Sequence, residues 1–357
     1  MSRAATATIH LGALRDNLLR IRELAAGARV MAVVKADGYG HGLERVARAL
    51  AGAEAFGVAC IADGQRLRAA GVKSRIVVLS GIDDAADISE MHRLDLESAI
   101  HHDAQIDWLA ADPDPRPLRV WLKLDSGMHR LGFAPAHALR AHARLRALAN
   151  VDPAIGLMTH FASSDVFDNE QTTVQIGTFE SVFGDLRGER TLSNSAAILG
   201  WQSARADWVR PGGLLYGISP VAGRSGIDFG FHPAMTLSTK LVAINTVAAG
   251  EAVGYAATWI CPQEMPIGVA QIGYGDGYPR SAATGTPVLV NGQRAAIVGR
   301  VSMDLITLDL RGVDARVGDR VVLWGEGLPV EEIAGNAGTI GYELVCGMTR
   351  RVRFVED

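Results

Sequence analysis

Apolar residues along this chain follow two different spacings, and the change between them divides the sequence near residue 226. Over residues 10–28, Leu14, Leu18, Ile21 and Leu24 recur at helical intervals with charges between them, which predicts a helix ahead of the first strand. Short apolar runs then alternate with amphipathic segments. Strands are expected at 31–35, 56–60, 75–80, 94–100, 119–125, 154–161, 190–193 and 207–210. Alternation of strand and helix with a count of eight fits an α/β fold, an N-terminal (β/α)8 TIM-type barrel over residues 1–225.

Beyond residue 226 the helical periodicity gives way to short alternating segments. Strands are expected at 236–244, 267–272, 287–290, 295–298, 306–310 and 320–324, with a hairpin turn at Asn291-Gly292. Residues 226–357 therefore read as a C-terminal, mainly β domain. With no repeat, low-complexity stretch or flexible linker between them, the two domains are expected to pack closely.

Composition narrows the classes. At 357 residues the chain is long for one core, and 48% hydrophobic with 21% charged residues describes a soluble globular protein with ample core material. A net charge of -4 shows no bias toward nucleic acid or an anionic membrane. The three cysteines, Cys60, Cys261 and Cys346, are far apart with no CxxC pair, which argues for reduced thiols and against a metal site. No apolar run approaches the roughly 18 residues of a membrane span, and the N-terminal residues lack the apolar core of a leader, so a cytoplasmic location is expected.

The candidate chemistry centres on residues 30–42, VMAVVKADGYGHG. A buried run ends at Lys35, where partial desolvation would lower the amine pKa and free its lone pair for Schiff-base chemistry. The glycines that follow permit positive φ and close approach of backbone to a ligand. A lysine that merely reaches out to water is the plain alternative. In the barrel reading Lys35, Asp125, His160, Ser195 and Arg210 all fall at or just after strand C-termini, where such barrels place their chemistry. The loops Ser193-Asn194-Ser195 and Pro211-Gly212-Gly213 stand where these barrels commonly hold a phosphate, a task suited to hydroxyls and glycine amides.

AVVKADGYGHG resembles the pyridoxal phosphate signature of alanine racemases. The likeness continues in order through KLDSGMHRLGF from Lys123, THFASSD from Thr159, SNSAA from Ser193 and VRPGGLLYG from Val209. It runs on through VGYAATW around Tyr255, IGYGDGYPR around Tyr274, VGRVSMD ending at Asp304 and IGYELVCGMTRRV from Ile340. The resemblance implies a racemase that interconverts L- and D-alanine, for peptidoglycan synthesis or alanine catabolism. Pyridoxal 5'-phosphate would be held by Lys35 as an aldimine, with Lys35 and Tyr255 as the two bases. It further implies cofactor contacts from Tyr39, His160, Asn194, Ser195, Arg210, Gly212, Gly213 and Tyr342. Arg210 would face the pyridine nitrogen and His160 would orient it. Arg130 and Met303 would hold the substrate carboxylate. Lys123 matches a lysine that is carbamylated in some members and orients the arginine. Gly213 departs from the branched residue common at its position, and Ser302 replaces a cysteine found in many relatives. A head-to-tail homodimer is implied, with Tyr255 completing the partner's site.

Other readings have distinguishing marks. A serine or broad-specificity amino-acid racemase of the same fold would differ in pocket size, where one methylene or hydroxyl is worth about 1–3 kcal/mol. Gly38, Gly40 and Gly42 with Asp63 loosely mimic a dinucleotide turn, but the third glycine comes one residue early and the lysine has no task there. A cofactor carrier without catalysis would need neither Tyr255 nor Arg130.

Overall fold

The computed structural model describes residues 5–357. Strand β1 (Thr6–Ile9) precedes a helix at Leu11–Ala25, within the helical periodicity of the sequence. Eight parallel strands follow: β2 (Arg29–Val33), β3 (Ala55–Val58), β4 (Arg75–Val78), β5 (Glu97–Ile100), β6 (Val120–Lys123), β7 (Gly156–Met158), β8 (Arg190–Asn194) and β9 (Trp208–Arg210). They close into a barrel, β2 pairing with β9 through Val30 opposite Val209. Every expected barrel strand overlaps one of these, β2 and β3 beginning one or two residues earlier than expected and β8 running one residue further. Because strand side chains alternate, Val30 and Ala32 face the surrounding helices while Met31 faces inward. Inside, Met31, Ala55, Val77, Ala99, Trp121, Met158 and Trp208, one from each of seven strands, form their own cluster. Gly156 is required there, since a Cβ would stand 2.3 Å from the Trp121 ring. The N-terminal mouth is closed by Arg75, which donates twice to the fully buried Glu97 (2.6 and 2.9 Å) and once to Glu189 (2.9 Å). Such a face, built of ion pairs over tryptophans, reads as stability rather than chemistry.

The second domain contains β10 (Met235–Val247), β11 (Ala252–Val253), β12 (Trp259–Ile260), β13 (Met265–Ala270), β14 (Pro287–Val290), β15 (Gln293–Ile297), β16 (Ile306–Asp309), β17 (Arg320–Trp324) and β18 (Arg353–Glu356). The thirteen-residue β10 organises it: its first half pairs with β1 and β17 and, past an irregularity between Leu241 and Ala243, its second half pairs with β13. Asn291 and Gly292, both at positive φ, make the β14–β15 hairpin, as their two-residue signature dictates. Two helices, Val330–Ala337 and Gly341–Cys346, also belong to this part.

One assignment is corrected. Residues 1–225 do not all serve the barrel: β1 lies in the second sheet, antiparallel to β10 and parallel to β18. Its four residues alternate between buried and half-buried, the pattern of a strand with one covered face. Residues 1–4 of that span lie outside the described residues.

Candidate active site

Strand β2 stops at Val33, and Lys35 opens a turn of unusual hand rather than ending the strand. Ala36 (φ 54°, ψ 51°), Asp37 (55°, 45°) and Gly38 (63°, 46°) are consecutive left-handed residues, and Tyr39 and Gly40 continue at φ 50° and 75°. For L-residues this costs roughly 1–2 kcal/mol apiece, and it persists only where surroundings enforce it. Here the enforcement is visible. Gly40 N–H donates to the Ala36 carbonyl and Gly42 N–H to that of Asp37, while the Asp37 carboxylate accepts from Leu43 N–H and from Arg66. The His41 ring donates from Nδ1 to the Tyr39 carbonyl at 2.7 Å. A side chain at Gly40 would strike the Val345 carbonyl, its Cβ only 2.1 Å from the oxygen.

The turn delivers Lys35 into a cavity of about 640 Å³ at the C-terminal mouth of the barrel. Lys35, Tyr39, Arg130, His160, Asn194, Ser195, Arg210, Gly212, Gly213 and Tyr342 all line it. Lys35, Lys123, Arg130 and Arg210 face it with a single carboxylate, Asp165, on the wall. That imbalance suits a small ligand with several negative charges. Burial, then the nearby Arg130, lower the Lys35 pKa. Lys123 is lowered to about 8 by burial, with Arg210, Arg130 and Lys35 adding repulsion.

At one end hydroxyls and amides converge. Ser195 Oγ accepts from Gly212 N–H at 2.9 Å and, more weakly, from Leu214 N–H at 3.5 Å. Tyr39 stacks on Tyr216 with ring centres 4.7 Å apart and meets the Tyr342 ring edge-on. Both phenols rest on glycine. A Cβ at Gly212 would lie 2.4 Å from the Tyr39 hydroxyl, and one at Gly213 would lie 2.5 Å from that of Tyr342. Burial pushes the Tyr39 hydroxyl up to about 12 and raises Tyr342 as well, so both remain neutral donors. Asn194 is engaged by the protein: its carbonyl oxygen caps the helix Ser195–Gly200 through Ala197 N–H and accepts from Ser164.

At the other end Arg210 is buried and gripped by groups that the sequence did not reveal. It donates to Thr191 Oγ1 at 2.6 Å, to the Thr159 carbonyl at 2.5 Å and to the Leu192 carbonyl at 3.2 Å. Arg210 is thus held by the threonine before His160 and by strand β8. Thr191 is the clue in hindsight, a polar residue facing inward from β8, the one strand that adds nothing to the apolar interior cluster. His160 is kept neutral by burial and by Arg210, its pKa well below the ordinary value. Burial lowers Arg210 to about 10, which leaves it charged near neutrality.

Two expected site residues stand apart from this cavity. Tyr255 lies in the connection between β11 and β12, and Met303 in a loop before β16; they are 70% and 51% exposed. Gly254, Ala256 and Ala257 around Tyr255 all have positive φ. Two alanines in that region make a strained turn beside the exposed tyrosine.

The family model described as "Alanine racemase, N-terminal domain" matches residues 9–220, and that described as "Alanine racemase, C-terminal domain" matches residues 234–356. A protein of Shewanella sediminis named alanine racemase is 49% identical over 353 residues, covering 98% of each chain. The solved structure titled biosynthetic alanine racemase from Pseudomonas aeruginosa superposes with a TM-score of 0.97 at 43% identity, covering 99% of both chains. That of alanine racemase from Acinetobacter baumannii gives 0.94 at 36% identity, covering 99% of this chain and all of the other.

Proposed function

Because this chain belongs to the alanine racemase family and interconverts L- and D-alanine, we propose that it works with pyridoxal 5'-phosphate and moves the α-proton between Lys35 and a Tyr255 supplied by a second copy. The observation that carries this reading is the placement of Lys35, held by a left-handed turn inside a cation-rich cavity. The fit of the cofactor rests on the cradle at the far end, where glycines 212 and 213 leave just the room that two neutral phenols occupy. Ser195, Tyr39, Tyr342 and the amides of Gly212 and Gly213 would hold its phosphate, and Arg210 its ring nitrogen.

When bound, pyridoxal phosphate supplies the electron sink that makes an otherwise very weakly acidic α-proton removable. Lys35, with its lowered pKa, exchanges a proton on one face of the substrate carbon. Tyr255 exchanges one on the opposite face, since a single base cannot reach both. Arg210 stays protonated and so offers no proton to the ring nitrogen, which weakens the sink and suppresses side reactions such as transamination. Arg130 pairs with the substrate carboxylate, assisted by the Met303 amide of the second copy.

The shared site is supported by exposure on the β domain. Tyr255, Ile260, Tyr274, Met303 and Leu305 are all large apolar or aromatic residues open to solvent, a grouping that suits burial against another copy. No helix among the described residues is long and apolar enough to cross a membrane, and a cytoplasmic location fits the free cysteines. The test is borohydride reduction of the yellow purified protein with peptide mapping, alongside L-alanine racemisation. The cofactor should be fixed to the peptide containing Lys35 and D-alanine should form. Labelling of another lysine, or faster turnover of L-serine than of L-alanine, would overturn the corresponding part.

A further inference from the structure

A second, much smaller pocket lies on the other side of the Lys35 turn, where the barrel meets the β domain. Its free volume is about 20 Å³, and His41, Tyr216, Trp324, Glu331 and Val345 are among its walls. One water needs roughly 10–15 Å³ and two or more polar partners. Polar partners are present in complementary form. His41 is 1% exposed and Trp324 is fully buried, and neither His41 Nε2 nor Trp324 Nε1 has a hydrogen-bond partner. The His41 tautomer is fixed from its other side: a carbonyl can only accept, so Nδ1 carries the proton given to Tyr39 and Nε2 is left as a bare acceptor. The Trp324 indole nitrogen can only donate.

A buried acceptor and a buried donor on one pocket of this size describe the two sides of a single water molecule. We propose that this pocket is a binding site for one ordered water, which accepts from Trp324 Nε1 and donates to His41 Nε2. Its second proton has an acceptor within the same walls in the Glu331 carboxylate, one oxygen of which already takes the amides of Ser219 and Gly226. Burial disfavours a charge on the His41 ring, its pKa standing at about 4, which keeps Nε2 available as the acceptor. The water therefore links the segment that follows Lys35 to β17 of the second domain, and it makes His41 a positioning residue. The ring clamps the left-handed turn through Nδ1 and is itself secured through Nε2.

Crystallography of the wild-type holoenzyme tests the site directly, with nuclear magnetic resonance of the same protein in solution. One water should lie within about 2.7–3.2 Å of both nitrogens, the Trp324 indole proton should show cross-relaxation with water, and His41 should show the Nδ1–H tautomer. In Trp324→Phe the water should be lost and the amides of residues 38–42 should exchange faster with solvent, the rest of the barrel being unchanged. A dry pocket, a water touching just one of the nitrogens, or a His41 protonated on Nε2 overturns the proposal in the wild type, whatever the stability of the variant.

Discussion

Arg210 donates to the Thr191 hydroxyl at 2.6 Å, and that hydroxyl in turn donates to the Trp208 carbonyl at 3.1 Å. The position of the guanidinium in the active cavity is thus set from the strand beside its own. Thr191→Val keeps the shape and removes the acceptor, leaving a buried charged donor unpaired at a cost of about 1–3 kcal/mol. Urea unfolding should show that loss, and cofactor affinity measured by fluorescence titration should fall. Thr191→Ser should restore both; a serine variant as weak as valine would mean that packing, not the hydroxyl, is what matters.

Gly40→Ala should be among the most damaging single-atom changes in the chain. The residue sits at φ 75° with the Val345 carbonyl oxygen 2.1 Å from the added methyl, so backbone strain and a clash add to at least about 2 kcal/mol. Gly71→Ala is the internal comparison. It has φ 87° and nothing within 4 Å, so it should bear the backbone cost alone, about 1–2 kcal/mol. Equal shifts of the two melting temperatures would contradict the clash.

Acid should destabilise the fold through His41. Its folded pKa of about 4 lies below the unfolded value of 6.5, so between those limits the unfolded chain binds the extra proton and stability falls as pH drops. Each unit of that depression is worth about 1.4 kcal/mol. His41→Asn keeps a donor for the Tyr39 carbonyl but does not titrate. Its unfolding free energy should decline less than that of wild type between pH 7 and 5; His101, His142 and His160, all shifted in the same direction by burial, contribute to the decline that remains.

Two inactive variants should repair each other. If Lys35 and Tyr255 of one site come from different copies, a mixed dimer of Lys35→Ala and Tyr255→Phe chains has one site with both lesions and one with neither. Half of randomly reassorted dimers are mixed, so about one quarter of wild-type racemisation should return. Recovery near zero after demonstrated exchange of subunits would place both residues of a site in one chain.

The strands were legible in the sequence because barrel strands are buried on both faces and read as dense apolar runs, as at Ile76 to Val78. The cavity residues at strand ends were legible for a related reason, since polar groups that interrupt such runs need an explanation. What escaped was local and relational. Nothing in the spacing of KADGYGHG announces that Ala36 and Asp37 adopt the left-handed region beside glycines, because part of what holds it comes from elsewhere in the chain, where Arg66 donates to the Asp37 carboxylate. Thr159 and Thr191 are ordinary strand residues by composition, and only their meeting across β7, β8 and β9 makes them the seat of Arg210. Strand β1 was invisible because four alternating residues carry little signal until β10 and β18 stand on either side.

That last arrangement governs the order in which the molecule can be assembled. Apart from its closure between β2 and β9, the barrel joins strands that are neighbours in sequence, but the edge of the second sheet pairs Thr6 with Arg353 and Ile9 with Glu356, and His10 meets Asp357 across 347 positions. Closing so long a loop is slow and brings no reward until it is complete. The pairing of β1 with β18 is therefore the contact that asks the longest loop closure of a folding chain. Removing β1 would accordingly leave β18, the last strand of the sheet order, without a neighbour and both ends of the chain untied.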